Sequence, residues 1–372
     1  MATSPLLDAC FYNKPAKAQR LWDNGDLTLA DVRVDDNLIF RSVCGNGYLR
    51  TAQWLWGLRD AADACLTLAD VRAGDNEAFR GACRYKHLTT ARWLWSLRDV
   101  LPAGGGESDR LTLIDVRAGD NEAFRCACIR DHLKTAQWLW GLRDAAGAGL
   151  TLADVRAGNN EAFRRACEYD RLTTARWLWG LRDAAGAGLT LADVRAWDSQ
   201  AFRHACEYGH LETAQWLWNL RSHSEGGEDP AIDYLTLDDV RADNNYALRA
   251  ACENGHLAVV QWLLSLHDPT GNSLTLADVR SENNYAFRTA CGNGHLDVAQ
   301  WLVAVRLGLR DASASPRGDS AAGLGLSHAE VAEMVAAAFD QGHPEMALWL
   351  QGRLSRAEPA RHFLAAICGS SL

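Results

Sequence analysis

Histidines and cysteines are the residues of this chain best suited to bind a metal, and both recur at fixed intervals. The histidines that recur in a repeated motif are His87, His132, His210, His256 and His295. Paired zinc ligands are usually separated by about two to four intervening residues. Cys126 and Cys128 have only one residue between them. A histidine that returns once per copy indicates a structural role in the copy. We therefore predict neither a metal site nor a bound cofactor.

Seven of the 11 cysteines occupy one equivalent position, which argues against disulfide bonds. They are Cys44, Cys83, Cys128, Cys167, Cys206, Cys252 and Cys291. Packed helices lie about 8–10 Å apart, whereas the Cα atoms of a disulfide lie within about 7 Å of each other. Equivalent cysteines in stacked copies therefore cannot bridge without distortion. We expect buried thiols in a reducing compartment.

Two sets of equivalent arginines are the most suggestive polar feature. One set ends a linker motif, two residues after an aspartate: Arg33, Arg72, Arg117, Arg156, Arg195, Arg241 and Arg280. The other follows a phenylalanine or leucine: Arg41, Arg80, Arg125, Arg164, Arg203, Arg249 and Arg288. They form either a guanidinium-lined groove for an acidic partner or an Asp–Arg network that holds each linker to its helix. Their sameness in all seven copies favours the network, because recognition needs differences between copies.

The 15 tryptophans offer flat rings on which nucleic-acid bases could stack, but their arrangement favours a core. Most form pairs two residues apart within an apolar stripe of helical spacing. The formal net charge of −9 also disfavours a phosphate backbone, which is bound mainly by Lys and Arg. Two residues span about 200° of a helix, so only one of each pair points into the core. We predict that the first is more buried: Trp54, Trp93, Trp138, Trp177, Trp216, Trp262 and Trp301.

No arrangement typical of catalysis accompanies these residues. The sequence has no Ser-His-Asp set in the order of a known triad and no glycine-rich phosphate-binding motif. The glycines at Gly104, Gly105 and Gly106 are interpreted as part of a loop. We therefore predict no catalytic residue and no enzyme activity.

A unit that is repeated seven times positions all of these residues. Each copy carries variants of Leu-Thr-Leu-x-Asp-Val-Arg, Ala-Phe-Arg-x-Ala-Cys, His-Leu and Ala-x-Trp-Leu-Trp. The copies begin at Leu27, Leu66, Leu111, Leu150, Leu189, Leu235 and Leu274, at intervals of 39, 45, 39, 39, 46 and 39 residues. A fixed period of this length predicts a solenoid, in which each unit buries its apolar face against its neighbours.

The copy that begins at Leu235 shows the expected elements most clearly. Apolar residues between Ala247 and Cys252 are spaced as one face of a short helix. Gly255 ends this helix, because glycine readily adopts the left-handed conformation at a helix end. A second apolar stripe follows from Leu257. The copy is therefore a pair of helices, and its linker, with a threonine before an apolar stretch, has the sequence of a further helical turn.

The segment Cys-Glu-Asn-Gly-His-Leu-Ala-Val-Val-Gln-Trp-Leu at 252–263 resembles the second half of an ankyrin repeat, Ala-x-x-Gly-His-Leu-x-x-Val followed by leucines. Two features depart from that family. Arginine replaces the histidine of its Thr-Pro-Leu-His tetrapeptide, and the period of 39 exceeds the usual value of about 33. The resemblance covers about residues 6–350. It implies an all-α, ankyrin-like helical-hairpin solenoid with repeats of about 39 residues, whose linker forms either a β-hairpin or a helical turn.

The wording Asp-Val-Arg-Ala-Asp-Asn-Asn-Tyr-Ala-Leu-Arg is similar to the divergent ankyrin arrays common in giant DNA viruses and some protists. For such arrays the resemblance implies protein–protein interaction and no catalysis. We therefore expect a non-enzymatic scaffold that binds a partner protein through its concave face. The alternatives are a substrate-recruiting adaptor for a multi-subunit complex, such as a ubiquitin ligase, and a nucleic-acid-binding helical array.

The repeat pattern predicts four segments. Residues 1–26 form an N-terminal cap or partial repeat, and residues 27–304 form seven ankyrin-like repeats. Residues 305–325 form a flexible insertion, and residues 326–372 form a degenerate repeat with a C-terminal capping helix. Two further loop insertions, rich in Gly, Ser, Pro and Asp, fall near residues 100–108 and 222–233.

The ends and the hydropathy of the sequence predict a compartment. The first residues lack a basic segment followed by an apolar run, so we expect no secretory signal. No window approaches about 18 uninterrupted apolar residues, so we expect no membrane span. With reduced cysteines, this pattern predicts a cytoplasmic protein, in the host cytoplasm if it is viral. We expect a monomer that binds neither nucleic acid nor membranes.

Binding specificity is expected where the copies differ. These positions are the residue after the second-set arginine and the two residues at the end of the linker. The candidate partner-binding residues are Trp197, Asp198, Arg165, His204, Thr289, Asp243 and Glu282. Trp197 is the only tryptophan outside the second-helix pattern, so it is either an interaction hot spot or a packing residue.

Overall fold

Each copy of the repeated unit folds as three helical segments in a fixed order. The computed structural model describes residues 5–25, 27–60, 63–97, 111–144, 146–183, 186–220, 234–268, 271–308, 326 and 328–354. In each copy, a one-turn helix in the linker precedes a longer helix 1, and helix 2 packs against helix 1. The predicted insertions near 100–108, 222–233 and 305–325 and the capping helix within 355–372 lie largely or wholly outside the described residues.

The chain divides into two compact units, Met1–Leu189 and Thr190–Leu372. In the first unit the helices are α1 Pro5–Phe11, α2 Pro15–Asp23, α3 Leu29–Val32, α4 Val34–Gly45, α5 Leu49–Gly57, α6 Leu68–Arg84, α7 Leu88–Ser96, α8 Leu113–Val116, α9 Ala118–Ile129, α10 Leu133–Gly141, α11 Leu152–Val155, α12 Ala157–Glu168 and α13 Leu172–Gly180. In the second unit they are α14 Leu191–Val194, α15 Ala196–Glu207, α16 Leu211–Trp218, α17 Leu237–Glu253, α18 Leu257–Ser265, α19 Leu276–Val279, α20 Ser281–Gly292, α21 Leu296–Gly308, α22 His328–Asp340 and α23 Pro344–Leu354.

Helices account for the regular structure of the described residues, apart from an isolated β-bridge between His267 and Ser273. This confirms the prediction of an all-α helical-repeat solenoid. Of the two alternatives for the linker, the described copies adopt the helical turn. Thr67 begins this turn and Asp70 closes a capping box on it, since the Asp70 carboxylate accepts hydrogen bonds from the Thr67 amide at 2.7 Å and hydroxyl at 3.1 Å.

Successive linkers are joined by an ion pair between a buried aspartate and a partly exposed arginine. Arg33 donates from Nε and Nη2 to the two carboxylate oxygens of Asp70 in the next copy, at 2.7 and 2.9 Å. The same fork forms in the pairs Arg72–Asp115, Arg117–Asp154, Arg195–Asp239 and Arg241–Asp278. The Asp–Arg network is therefore present, but the prediction that it holds each linker to its own helix is wrong. Each arginine instead reaches the aspartate of the following copy.

Between the linker helix and helix 1, every copy contains three consecutive residues with a left-handed backbone. We call these residues the tip: 35–37, 74–76, 119–121, 158–160, 197–199, 243–245 and 282–284. Their φ angles lie between 51° and 62°. An L-residue in this region costs about 1–2 kcal/mol, and only Gly, Asn and Asp enter it readily. This explains why the tips are rich in those three residue types.

The core between copies is built from aromatic rings and the leucine between each pair of tryptophans. Phe79 is buried between Trp95 of its own copy and Trp138 of the next, with ring centroids 6.4 and 6.1 Å apart. Phe124 and Phe202 are placed in the same way. The intervening residues, among them Leu55, Leu139 and Leu217, are fully buried.

The prediction that the first tryptophan of each pair is the more buried is wrong. The second tryptophans Trp95 and Trp179 are 7% and 8% exposed, whereas the first tryptophans Trp93 and Trp177 are only half-buried. In the other pairs both rings are half-buried. The reason is geometric. The leucine between them faces the core, so each tryptophan lies about 100° to one side of it.

The turn between helix 1 and helix 2 explains the repeated Gly-His. Gly255 has a φ of 76°, and the ring of His295 from the next copy lies directly against it. Gly47, Gly209 and Gly294 receive His87, His256 and His343 in the same way. The seven equivalent cysteines lie buried beside this turn as free thiols, as predicted, and burial raises their pKa values.

Candidate functional site

The most unusual exposed side chain is Trp197, at the first tip position of its copy. Three other copies carry Gly74, Gly119 and Gly158 there. Trp197 has φ 57° and ψ 50°, and it is 61% exposed. A bulky side chain in the left-handed region is a genuine outlier, and such strain concentrates at functional sites. Asp198, the next tip residue, is also exposed.

Arg203 on helix 1 connects the Trp197 tip to the tip of the next copy. Its Nη2 donates to the Trp197 carbonyl at 3.0 Å, and its Nη1 pairs with the carboxylate of Asp243. The Asp243 side chain is still 51% exposed. The guanidinium also lies 5.0 Å from the ring centroid of Tyr246. One arginine therefore holds two tips and one aromatic ring in a fixed arrangement.

The same arginine-on-tyrosine contact recurs one copy later. Arg249 lies 5.0 Å from the ring centroid of Tyr285. Burial and a hydrogen bond to Glu207 raise the pKa of Tyr246 to about 12, and burial with the charge of Glu253 raises the pKa of Tyr285. Each tyrosine is thus fixed by a carboxylate and an arginine of the preceding copy. We consider such contacts between a cation and an aromatic ring to be worth about 0.5–1 kcal/mol each at exposed sites.

His204 belongs to the same cluster of rings. Its ring centroid lies 6.2 Å from that of Tyr208 and 6.5 Å from that of Tyr246. Tyr208 is exposed, whereas the His204 side chain is mostly covered and lies 3.8 Å from the Glu207 carboxylate. Ring contacts thus link Arg203, His204, Tyr208 and Tyr246, and the Trp197 backbone joins them through its bond to Arg203. We call these five residues the aromatic patch.

Two predicted binding residues are already engaged by their own helices. Arg165, which lies in the first unit, donates to both carboxylate oxygens of Glu168 at 2.7 and 2.9 Å. The Thr289 hydroxyl donates to the Tyr285 carbonyl one turn earlier, at 2.9 Å. Such local bonds are structural, so neither side chain offers its main polar group to a partner.

Glu282 and Thr289 line a groove of about 530 Å³ between α20 and α22 in the second unit. Tyr285, Met334 and Arg288 contribute an apolar wall and one positive charge. Apart from Arg165, the predicted binding residues lie in two places. Trp197, Asp198, His204 and Asp243 lie at or beside the aromatic patch, and Glu282 and Thr289 lie at the groove.

Sequence reasoning missed Tyr208, Tyr246 and Tyr285, and it named Arg203 and Arg249 only as members of the repeated arginine set. A signal was present, because helix 1 carries tyrosine at positions 246 and 285 where earlier copies carry Glu77, Glu122 and Glu161. Glu122 pairs with Arg80 of the preceding copy at 2.5 Å, and Glu161 pairs with Arg125 in the same way. The tyrosine therefore replaces an ion pair by a contact between a cation and a ring.

The second set of arginines serves mainly the fold. Arg80, Arg164 and Arg249 donate to tip carbonyls six residues earlier, at 3.1, 3.4 and 3.2 Å. These bonds hold the left-handed tip in place. In the described part of the chain, no group of three His, Cys, Asp or Glu side chains is arranged to hold a metal ion. Nor is any helix in that part both long and apolar enough to cross a membrane.

A family model describing three copies of the ankyrin repeat matches residues 205–311. Over these residues the chain consists of ankyrin repeats. The matched copies and the earlier ones share the same tips, the same linker ion pairs and the same aromatic core, so the assignment extends along the internal repeat. Ankyrin repeats generally mediate contacts between proteins, and they are typically non-enzymatic.

Other comparisons add little to this ankyrin array. No curated protein matches the sequence significantly. A solved structure of an ankyrin repeat family protein from Legionella pneumophila is similar at 15% identity, covering 83% of this chain and 73% of that chain, with a TM-score of 0.29. A TM-score this low carries no structural argument. The assignment therefore rests on the family model and on the repeated residues.

Proposed function

We propose that this ankyrin array is a non-enzymatic scaffold that binds a partner protein through the tips and the exposed side of helix 1, the face expected to be concave. The observation that carries the proposal is the contrast between repeated and variable positions. The repeated arginines, aspartates and histidines hold one copy to the next. At the tip of one copy, by contrast, the variable residues Trp197 and Asp198 are exposed.

The composition of the aromatic patch supports a protein partner. Protein interfaces are enriched in tryptophan, tyrosine and arginine, and a few such residues carry most of the binding energy. Nucleic acid is a poorer fit, because the helix-1 arginines Arg80, Arg125 and Arg203 are already neutralised by carboxylates. We propose that the protein acts as a monomer in the cytoplasm, where its buried thiols remain reduced.

A capture experiment with matched variants tests this function. The full-length chain, Trp197→Ala and Leu348→Ala are used as baits for chemical cross-linking in extract, followed by mass spectrometry. Leu348 is the control, because it is also 61% exposed in the second unit but lies on helix 2. We expect a discrete protein partner that is recovered with the wild type and Leu348→Ala and is strongly reduced with Trp197→Ala.

Two outcomes would contradict the proposal. One is equal recovery of the same partners by all three baits, which would place binding elsewhere than the aromatic patch. The other is recovery that depends on nuclease-sensitive material and falls steeply with salt, since that dependence is typical of phosphate contacts. Recovery of ubiquitin-ligase subunits together with a substrate would instead identify the scaffold as an adaptor.

A further inference from the structure

The tip at Trp197 combines an exposed ring with a carboxylate. The indole is 61% exposed, and Asp198 follows it on the same left-handed turn, also exposed. The Asp243 carboxylate of the next tip is linked to this turn through Arg203, and about half of that side chain is accessible. An exposed indole with an exposed carboxylate on the adjacent residue favours a cation that is also flat.

The array itself already contains this chemistry twice. Arg203 covers Tyr246 and Arg249 covers Tyr285, each at 5.0 Å from the ring centroid. In the first of these pairs the same guanidinium also reaches a tip carboxylate, Asp243. A guanidinium on a ring beside a tip carboxylate is therefore an arrangement that this surface demonstrably accommodates.

We propose that Trp197 and Asp198 receive an arginine side chain from a basic segment of the partner protein. The guanidinium stacks on the indole face and donates hydrogen bonds to the Asp198 carboxylate. This inference rests on the proposed scaffold function and specifies the chemistry of its partner. The net charge of −9 on the chain favours a basic segment over an acidic one, because opposite charges steer the encounter.

A packing role is the other explanation for Trp197, and the backbone argues against it. At the equivalent positions of earlier copies, Gly74 and Gly158 lie against Arg41 and Arg125, and an added Cβ would come within 2.6 and 2.9 Å of those guanidinium groups. The fold therefore requires no side chain at the first tip position. Whatever contacts Trp197 makes within the array, its side chain remains 61% exposed in a conformation suited to glycine, so most of it is accessible to a partner protein.

The test uses fluorescein-labelled synthetic peptides of alternating arginine, glycine and serine, with lysine or glutamate replacing arginine in two comparison peptides. Binding to the full-length chain is measured by fluorescence anisotropy at physiological salt. We expect the arginine peptide to bind more tightly than the lysine peptide by about fivefold, because the guanidinium stacks on the indole and forks to the carboxylate. The glutamate peptide should not bind.

Three variants locate the interaction. Trp197→Gly and Asp198→Asn should each weaken binding of the arginine peptide by about fivefold or more, while Leu348→Ala should leave it unchanged. Trp197→Gly should also unfold at the same temperature as the wild type or at a higher one, because glycine removes the backbone strain. A packing role for Trp197 predicts the opposite shift.

Equal binding of the arginine and lysine peptides, or unchanged binding by Trp197→Gly, would overturn the inference. If Trp197→Gly folds poorly, Asp198→Asn still tests the inference. It removes the charge of Asp198 without altering the shape of the side chain. The scaffold function fails separately. If cross-linking recovers a partner that depends on Trp197 while the arginine peptide does not bind, only the guanidinium chemistry is wrong.

Discussion

The left-handed residue that ends helix 1 shows how a single position constrains this array. Glycine occupies it in several copies, whereas Lys86 and Asp131 occupy it with φ of 70° and 59°. Thr174 donates to Asp131 at 2.8 Å and so compensates part of the strain. Lys86 is exposed, and a lysine in the left-handed region is disfavoured for steric reasons.

We expect Lys86→Gly to raise the free energy of unfolding by roughly 0.5–1 kcal/mol, since glycine relieves the left-handed strain but gains entropy when unfolded. Urea unfolding followed by tryptophan fluorescence measures the change. The reverse substitution, Gly255→Lys, is the matched comparison, and it should be destabilising because a Cβ at Gly255 would collide with the His295 ring. A less stable Lys86→Gly protein would show that the lysine side chain makes a contact worth more than the strain.

Residue types alone predicted part of this detail. The Gly-His pair and the buried cysteines followed from the repeated motif, and Trp197 stood out because it broke the pattern. The burial order of the tryptophan pairs was wrong, since periodicity places the pair around a buried leucine without ranking its two sides. Tyr246 and Tyr285 were missed because their arginine partners belong to a different copy.

At the scale of the element, one aspartate stabilises two linkers. Asp154 caps its own linker helix by accepting hydrogen bonds from Thr151, and it accepts the fork of Arg117 from the preceding copy. Burial alone would raise its pKa, but the hydrogen bonds from Arg117 and Thr151 outweigh burial and lower it. Sequence placed an aspartate and an arginine two residues apart and so predicted a local pair. The linker helix separates those two side chains and turns each towards a neighbouring copy.

Asp154→Asn should therefore lower the free energy of unfolding by about 2 kcal/mol. The change weakens the cap of the linker helix, and it removes the charge-assisted hydrogen bonds to the partly exposed Arg117. Chemical denaturation of the full chain measures this loss. Asp144→Asn is the control, because the Asp144 carboxylate accepts hydrogen bonds from the loop amides of Ala146 and Ala148 at 2.9 Å and is more exposed than Asp154. If both variants lose the same amount, the link between linkers contributes nothing beyond a capped turn.

For the molecule as a whole, the contacts that hold the copies together are repeated, and the surface that distinguishes them is not. Linker forks, aromatic rings and the histidine turns each join one copy to the next, so the stability of each unit is a sum of similar interfaces. A period in the sequence reveals such interfaces, which is why the fold was predictable. The binding surface depends on which side chains remain exposed after the copies stack. The 39-residue repeat period does not show which of the variable side chains these are.

Repetition also makes the stability of the whole chain sensitive to acid. Burial lowers the pKa of His87, His132 and His256 below the ordinary value of 6.5. Between the folded and unfolded pKa values, these histidines are protonated in the unfolded chain but not in the folded chain. The free energy of unfolding therefore falls as the pH drops below about 6.5. Aspartates such as Asp70, Asp239 and Asp278 have lowered pKa values, so their contribution is present above an ordinary pKa of 3.8 and is lost below it.

We therefore expect the urea midpoint to stay level between about pH 7 and 8, to decline between about pH 6.5 and 5, and to decline again below about pH 4. A variant with His87, His132 and His256 replaced by glutamine isolates the first decline, because glutamine binds no proton in this range. Its midpoint should be lower than that of the wild type at neutral pH but nearly level from pH 7 to pH 5. If the first decline is unchanged in that variant, groups other than these histidines cause the acid sensitivity. If the wild-type midpoint is level from pH 7 to pH 5, burial of the histidines does not disfavour the charged ring.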